Sequence, residues 1–267
     1  MRQIFLIRLT TPALLCCLFF LACKSNGKKG NNTIANSPRD FQQKISGDLK
    51  NTLADATSQN GFMPDSTRLY QTLLSQKLYE QNNFEPFWCR EEKWTKQGNS
   101  MLEFVQQARL NGLFPEDYHA QQILAIENRF GNDSLGKGDR RKVNLWSIAD
   151  ILITDAFVRA INEIKIGRLP NDSVSIRTDS VLSFEFIAEQ LALIRQTGSM
   201  NEVIQKIEPH HPAYQLLKNA LKKFIDSASF KEFAKVPQRG KNAAAFNKAL
   251  QKRLYEEGFI ASDSVVL

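Results

Sequence analysis

The chain has 267 residues, 42% of them hydrophobic, and 35 lysines and arginines against 28 acids give a net charge of +7. The basic residues are interspersed with acids along most of the chain rather than gathered in one stripe, which excludes the electrostatic footprint of a duplex nucleic-acid binder. Such a length and composition are ample for one large or two small hydrophobic cores.

Residues 1–22 carry Arg2 and Arg8 ahead of an uninterrupted apolar run from Pro12 to Ala22, which closes on Phe20-Leu21-Ala22-Cys23. A basic start, an apolar stretch and small residues before a cut are what the secretory machinery reads. A cysteine at the cut marks the lipoprotein version. The run is too short for a transmembrane anchor, which needs about 20 apolar residues. The expectation is a signal peptide over 1–22, lipidation of Cys23, attachment to a membrane through that lipid, and a periplasmic, membrane-anchored place in a bacterial cell envelope. Removing the signal takes away two arginines and no acid. Cys16 and Cys17 leave with it, so Cys89 is the only thiol beyond Cys23 and an internal disulfide is excluded.

Residues 23–38 are Gly, Asn, Ser and Lys with little to bury, and read as a flexible tether. Helical patterns dominate the chain beyond residue 38. Asp65 is placed to cap a helix carrying Tyr70, Leu74 and Leu78, and residues 100–110 form another that Asn111-Gly112 stops. Over residues 143–166, Val143, Trp146, Ile148, Ile151, Leu152, Phe157, Ile161 and Ile164 cover more than one face, as in a helix surrounded by others. Residues 183–196 place Phe184, Ile187, Leu191 and Ile194 at three- and four-residue steps before Gly198. A helix opened by Pro212 carries Tyr214, Leu217, Leu221 and Phe224. A last amphipathic piece holds Phe246, Leu250 and Leu254 and ends at Gly258. Strand-like alternation is confined to residues 83–88 and 174–176. No internal repeat of fixed period is present, which disfavours a solenoid. The expected fold is all-α: a multi-helix domain around a long central helix, with at most one or two short strands. Basic residues gather near the carboxyl end, where Lys235, Arg239, Lys241, Lys248, Lys252 and Arg253 suit attraction to an anionic surface or an ordinary solvated face.

Candidates for chemistry are sparse. Cys89 lies between Trp88 and Arg90, and Arg90 suits lowering a thiol pKa, yet thiol catalysis needs a base and no histidine is near in sequence. His119 can approach only through folding, and a cysteine beside a tryptophan is usually a small packing residue. In an extended segment His210 and His211 point opposite ways and cannot share one metal ion, so they read as the loop before a helix. Gly136-Lys137-Gly138 lacks the rest of a phosphate loop and reads as a turn. Glu91-Glu92 and Glu256-Glu257, taken as helix neighbours, diverge by about 100° and are poorly placed for two-carboxylate hydrolysis. Phe84, Phe87, Trp88 and Trp94 form an aromatic cluster that fills a core or, less commonly, stacks on sugar rings. No catalytic set, cofactor or metal is expected.

Several short motifs in a fixed order resemble the amino-terminal scaffold domain of the large L,D-transpeptidases. They are Glu85-Pro86-Phe87-Trp88, residues 100–111, Gly112-Leu113-Phe114-Pro115-Glu116-Asp117-Tyr118-His119, residues 150–156 (DILITDA), Gly167-Arg168-Leu169-Pro170, Ile207-Glu208-Pro209 and Tyr214-Gln215-Leu216-Leu217. The resemblance covers about residues 65–235. It implies a helical scaffold domain over 39–235 and, from residues 241–259, the truncated start of a peptidoglycan-binding-like helical module over 236–267. The family's catalytic cysteine sits in a Ser-His-Gly-Cys string that occurs nowhere in this chain, so only scaffold membership transfers. The resemblance implies a non-catalytic envelope lipoprotein that binds or positions peptidoglycan or a wall-modifying enzyme, with no nucleic acid among its partners. The alternative is a truncated cross-linking enzyme, in which Phe259, Ile260, Val265 and Val266 are expected to lack a core. A third reading is a lipoprotein whose helical ligand pocket has nothing to do with the wall.

Overall fold

A computed structural model of the chain describes residues 33–132, 138–168, 182–228, 233–239 and 242–262. The signal peptide, Cys23, Gly136, Lys137, the strand expected at 174–176, Val265 and Val266 lie outside the described residues.

The fold is all-α. Helix α5 (Val143–Lys165) is its axis, and it buries residues on every side, from Val143 and Trp146 through Phe157 to Ile164. Helix α1 (Pro38–Ser58) lays Phe41, Ile45, Leu49 and Leu53, spaced four residues apart, along α5. Ser37 opens α1 by accepting the Asp40 amide, and Pro38 occupies the first turn, where its missing N–H costs nothing. Helices α2 (Thr72–Gln81), α3 (Lys96–Gln106) and α4 (Ala120–Gly131) pack against the rest of α5. Two helices capped by serine follow: α6 (Phe184–Thr197) behind Ser183 and α7 (Met200–Ile207) behind Ser199. Gly198 joins them at φ 70°, a left-handed conformation that only glycine adopts without strain. Helices α8 (Pro212–Ser227) and α9 (Ala243–Glu256) complete the order, and neither contains a buried residue. Among the described residues no helix is long and apolar enough to cross a membrane.

Four expectations from the sequence need correction. Residues 33–38 are not free tether: Val143 donates to the Thr33 carbonyl (2.9 Å), Ala35 donates to the Arg141 carbonyl (2.8 Å), and Ala35 is fully buried. Asp65 caps a turn by accepting the Thr67 amide, while α2 begins only at Thr72, so Tyr70 precedes the helix. Residues 83–88 form no strand, because Asn83 and Phe84 adopt φ of 52° and 56° and break the extended run. The hairpin comes later, with β1 (Cys89–Arg90) antiparallel to β2 (Lys93–Trp94). Glu91 and Glu92 are therefore the two central residues of its turn, at φ 51° and 62°, and not helix neighbours.

The aromatic cluster is core. Phe87 and Trp88 are buried, and Trp94 is half-buried against Trp146 and Phe130, which stack with centroids 4.1 Å apart. Phe259 is exposed.

Candidate functional site

Two fully buried acids in the middle of α5 organise the polar interior. Asp150 is fully buried and accepts from three consecutive amides: Phe87 (2.9 Å), Trp88 (2.9 Å) and Cys89 (3.1 Å). The Tyr79 hydroxyl adds a fourth donor at 2.6 Å. One helical turn on, Thr154 donates to the Asp150 carbonyl and accepts the Trp88 indole N–H at 2.8 Å. Burial raises the Asp150 pKa, and the Tyr79 hydroxyl and Phe87 and Trp88 amides oppose that rise by stabilising the carboxylate. The result is a staple that fixes residues 87–89, and with them the hairpin, to the central helix.

Asp155 repeats the device on another segment. It accepts the Tyr70 amide (3.1 Å) and the Gln71 amide (2.6 Å) just ahead of α2, and shares a 2.7 Å hydrogen bond with His119 Nε2. His119 sits at φ 58° between the 3₁₀ turn Pro115–Tyr118 and α4. The Tyr70 ring stacks on its imidazole, and the Arg159 guanidinium lies 4.4 Å from the Tyr70 centroid. Arg159 in turn donates to Glu163 (2.8 Å) and to the Asp117 carbonyl (2.9 Å), and the Tyr118 hydroxyl donates to Glu163. This chain of contacts ties the 112–119 motif to α5.

The residues considered for chemistry are thus placed apart. Cys89 faces Asp150, whereas His119 is paired with Asp155. Burial first, and the Asp150 carboxylate second, push the Cys89 thiol well above its usual pKa, the reverse of what a nucleophile needs. His211 caps α8 by accepting the Ala213 amide on Nδ1 (3.2 Å). Glu256 accepts the Ala234 amide, and Glu257 pairs with Arg253. Among the described residues no group of three or more His, Cys, Asp and Glu side chains could hold a metal ion. Within the sequence Asp150 and Asp155 stand only as letters of a motif. The signal that marks them is a pair of acids in a helical run, residues 148–158, that is otherwise apolar apart from Thr154, since buried charge is retained only where it is hydrogen-bonded.

An open groove of about 610 Å³ lies between α3, the turn Ala108–Asn111, α7 and α8. Gln107, Asn111, Asn201, Gln205, Gln215 and Asn219 place six amide side chains around it. At one end the buried Glu208 holds Lys218 at 2.6 Å and Gln215 at 3.2 Å, with His210 beside it. Such a lining offers donors and acceptors in both senses to a ligand that carries amides, hydroxyls or carboxylates.

No curated protein and no solved structure matches the chain. A family model described as Scaffold domain matches residues 73–221, more than half of the 267, a span that holds the whole Asp150 staple, Asp155 and His119 but not Tyr70 and Gln71, and all of the groove lining except Lys222. The chain therefore belongs to the Scaffold domain family, consistent with the motif order it shares with the amino-terminal, non-catalytic part of the large L,D-transpeptidases.

Proposed function

We propose that the chain is a non-catalytic lipoprotein of the cell envelope, anchored through Cys23, which holds peptidoglycan or a wall-modifying enzyme in position during wall remodelling. One contrast carries this reading. The thiol Cys89 and the imidazole of His119 are buried and engaged by the carboxylates of the fold, while the open groove is lined mostly by amide and charged side chains suited to hydrogen bonding. A wall strand is built from sugars bearing hydroxyls and acetamides and from peptides ending in carboxylates. That chemistry complements a lining of Asn, Gln, Lys and Glu.

Sedimentation with purified sacculi at low salt tests the reading. Co-pelleting is expected, weakened several-fold by Asn201→Ala with Asn219→Ala, which shortens two groove walls while leaving the core intact. Failure to co-pellet refutes a wall-directed binder. A turnover assay on tetrapeptide donor strands supplies the opposite arm: cross-linked product that disappears with Cys89→Ala overturns the non-catalytic assignment. Incorporation of labelled fatty acid that Cys23→Ser abolishes supports the anchor.

A further inference from the structure

Helix α8 is amphipathic with its apolar side outward. Lys218 and Gln215 reach inward to Glu208, and Asn219 and Lys222 join them in lining the groove. Leu216, Leu217 and Phe224 point to solvent, 71%, 70% and 61% exposed. The exposed Ala213 and Ala220 fall on the same stripe at three- and four-residue steps, so the apolar surface is continuous along the helix. A surface helix ordinarily turns such a stripe to the core.

Positive charge accumulates in the same stretch. Between residues 212 and 256 ten lysines and arginines meet three acids, Asp226, Glu232 and Glu256. The surplus of +7 equals the net charge of the whole chain, so the remainder is balanced at 25 against 25. Lys222 and Lys223 on α8, Lys235 between α8 and α9, and Lys248 and Lys252 on α9 are exposed. An outward apolar stripe and the chain's entire charge excess thus occupy one region of sequence.

We infer that α8, with the exposed Lys235, Lys248 and Lys252 that follow it in sequence, lies on an anionic bilayer surface, its Leu216, Leu217 and Phe224 side chains among the acyl chains and its lysines against the headgroups. Helices that lie in the membrane interface combine these two features. Charge alone suits a wall polymer equally well, but a hydroxyl- and amide-rich strand offers less apolar surface than acyl chains to cover three exposed large side chains. The inference is independent of what fills the groove.

The test is Phe224→Trp in the full chain, read as the difference from wild type, whose Trp88 and Trp146 are buried and Trp94 half-buried. With phosphatidylglycerol vesicles, the indole at position 224 is expected to shift to the blue and to be quenched at least twofold by lipids brominated on the acyl chains. High salt is expected to weaken the response, and Lys222→Glu with Lys223→Glu to weaken binding by at least about tenfold. A chain held only by its amino-terminal apolar run floats with the vesicles yet leaves position 224 in water, and that result overturns the inference. So does an equal response to pure phosphatidylcholine, a blue shift without vesicles that accompanies self-association, or a shift given by sacculi and not by vesicles. Retention of the wild-type circular dichroism spectrum keeps each variant interpretable. Because the readout sits outside the sacculus assay, failure here leaves the wall-binding reading standing, and the converse also holds.

Discussion

Asp150 answers four donors from one position, which makes it the side chain whose loss costs most. Asp150→Ala leaves the Phe87, Trp88 and Cys89 amides without their buried acceptor and the Tyr79 hydroxyl with Thr154 alone. Each such orphan costs about 1–3 kcal/mol. The expected loss exceeds about 4 kcal/mol, a large share of the about 5–15 kcal/mol typical of a domain, and urea unfolding measures it. A loss below about 1 kcal/mol would show that the staple is ornamental. Cys89, packed beneath the same carboxylate, is expected to react with thiol reagents only as fast as the native chain opens, as peptide mapping after a labelling time course reveals. Asp139 makes the pH argument separately. Hydrogen bonds from Arg129 and Lys142 lower its pKa from 3.8 to about 2. A carboxyl with a depressed folded-state pKa stabilises the fold above pH 3.8 and surrenders that contribution as pH falls toward about 2. The buried Asp150 has the opposite sign, since its raised pKa makes the ionised form a liability that acid relieves. Asp139→Asn is therefore expected to lose about 1 kcal/mol at neutral pH, after screening at the half-exposed Arg129, and to match wild type near pH 2 in thermal melts.

At the scale of elements, the hairpin and α3 are locked by backbone proximity rather than by side chains. A Cβ added at Gly98 would stand 2.2 Å from the Trp88 carbonyl oxygen, which also accepts from Thr95. Gly98→Ala is thus expected to destabilise by about 1–3 kcal/mol, even though alanine is the better helix former by about 1 kcal/mol. The hairpin turn invites the opposite change. Glu91 and Glu92 hold left-handed conformations that Asn-Gly adopts readily, so Glu91→Asn with Glu92→Gly is expected to raise the melting temperature by about 2–4 °C. A lower melting temperature would show that those glutamates are held by contacts worth more than the strain. These residues also show why the hairpin was illegible: no turn residue announces it, and β1 and β2 contain two residues each. By contrast α5 and α6 were plain from their apolar steps and their glycine stops. Helix α1 escapes notice because its apolar residues recur only every fourth position among polar ones, next to a segment composed like a tether. Helix α8 was legible as a helix, but periodicity reports only that a stripe exists and not which way it faces.

For the whole molecule, the family match runs a little past a change in construction. Through α7 each helix contributes buried side chains, whereas α8 and α9 contribute none. The match ends at Leu221, within α8. Motif order was enough to place the chain in its family, because collinear short motifs survive where no single one is distinctive. The groove was not legible, since its six amide side chains come from positions scattered between 107 and 219 that only the fold assembles. A binding isotherm on sacculi that keeps its strength after Asn201→Ala with Asn219→Ala, yet falls with Lys223→Glu, would move the recognition surface from the groove to the exposed flank.

The two hydrogen bonds that clamp Thr33 and Ala35 to Arg141 and Val143 determine how the domain answers a mechanical load. A pull on the amino terminus meets that small clasp before it reaches the long seam between α1 and α5. The clasp unzips first and frees residues 33–36, so modest tension is taken up there while the rest of the body keeps its shape.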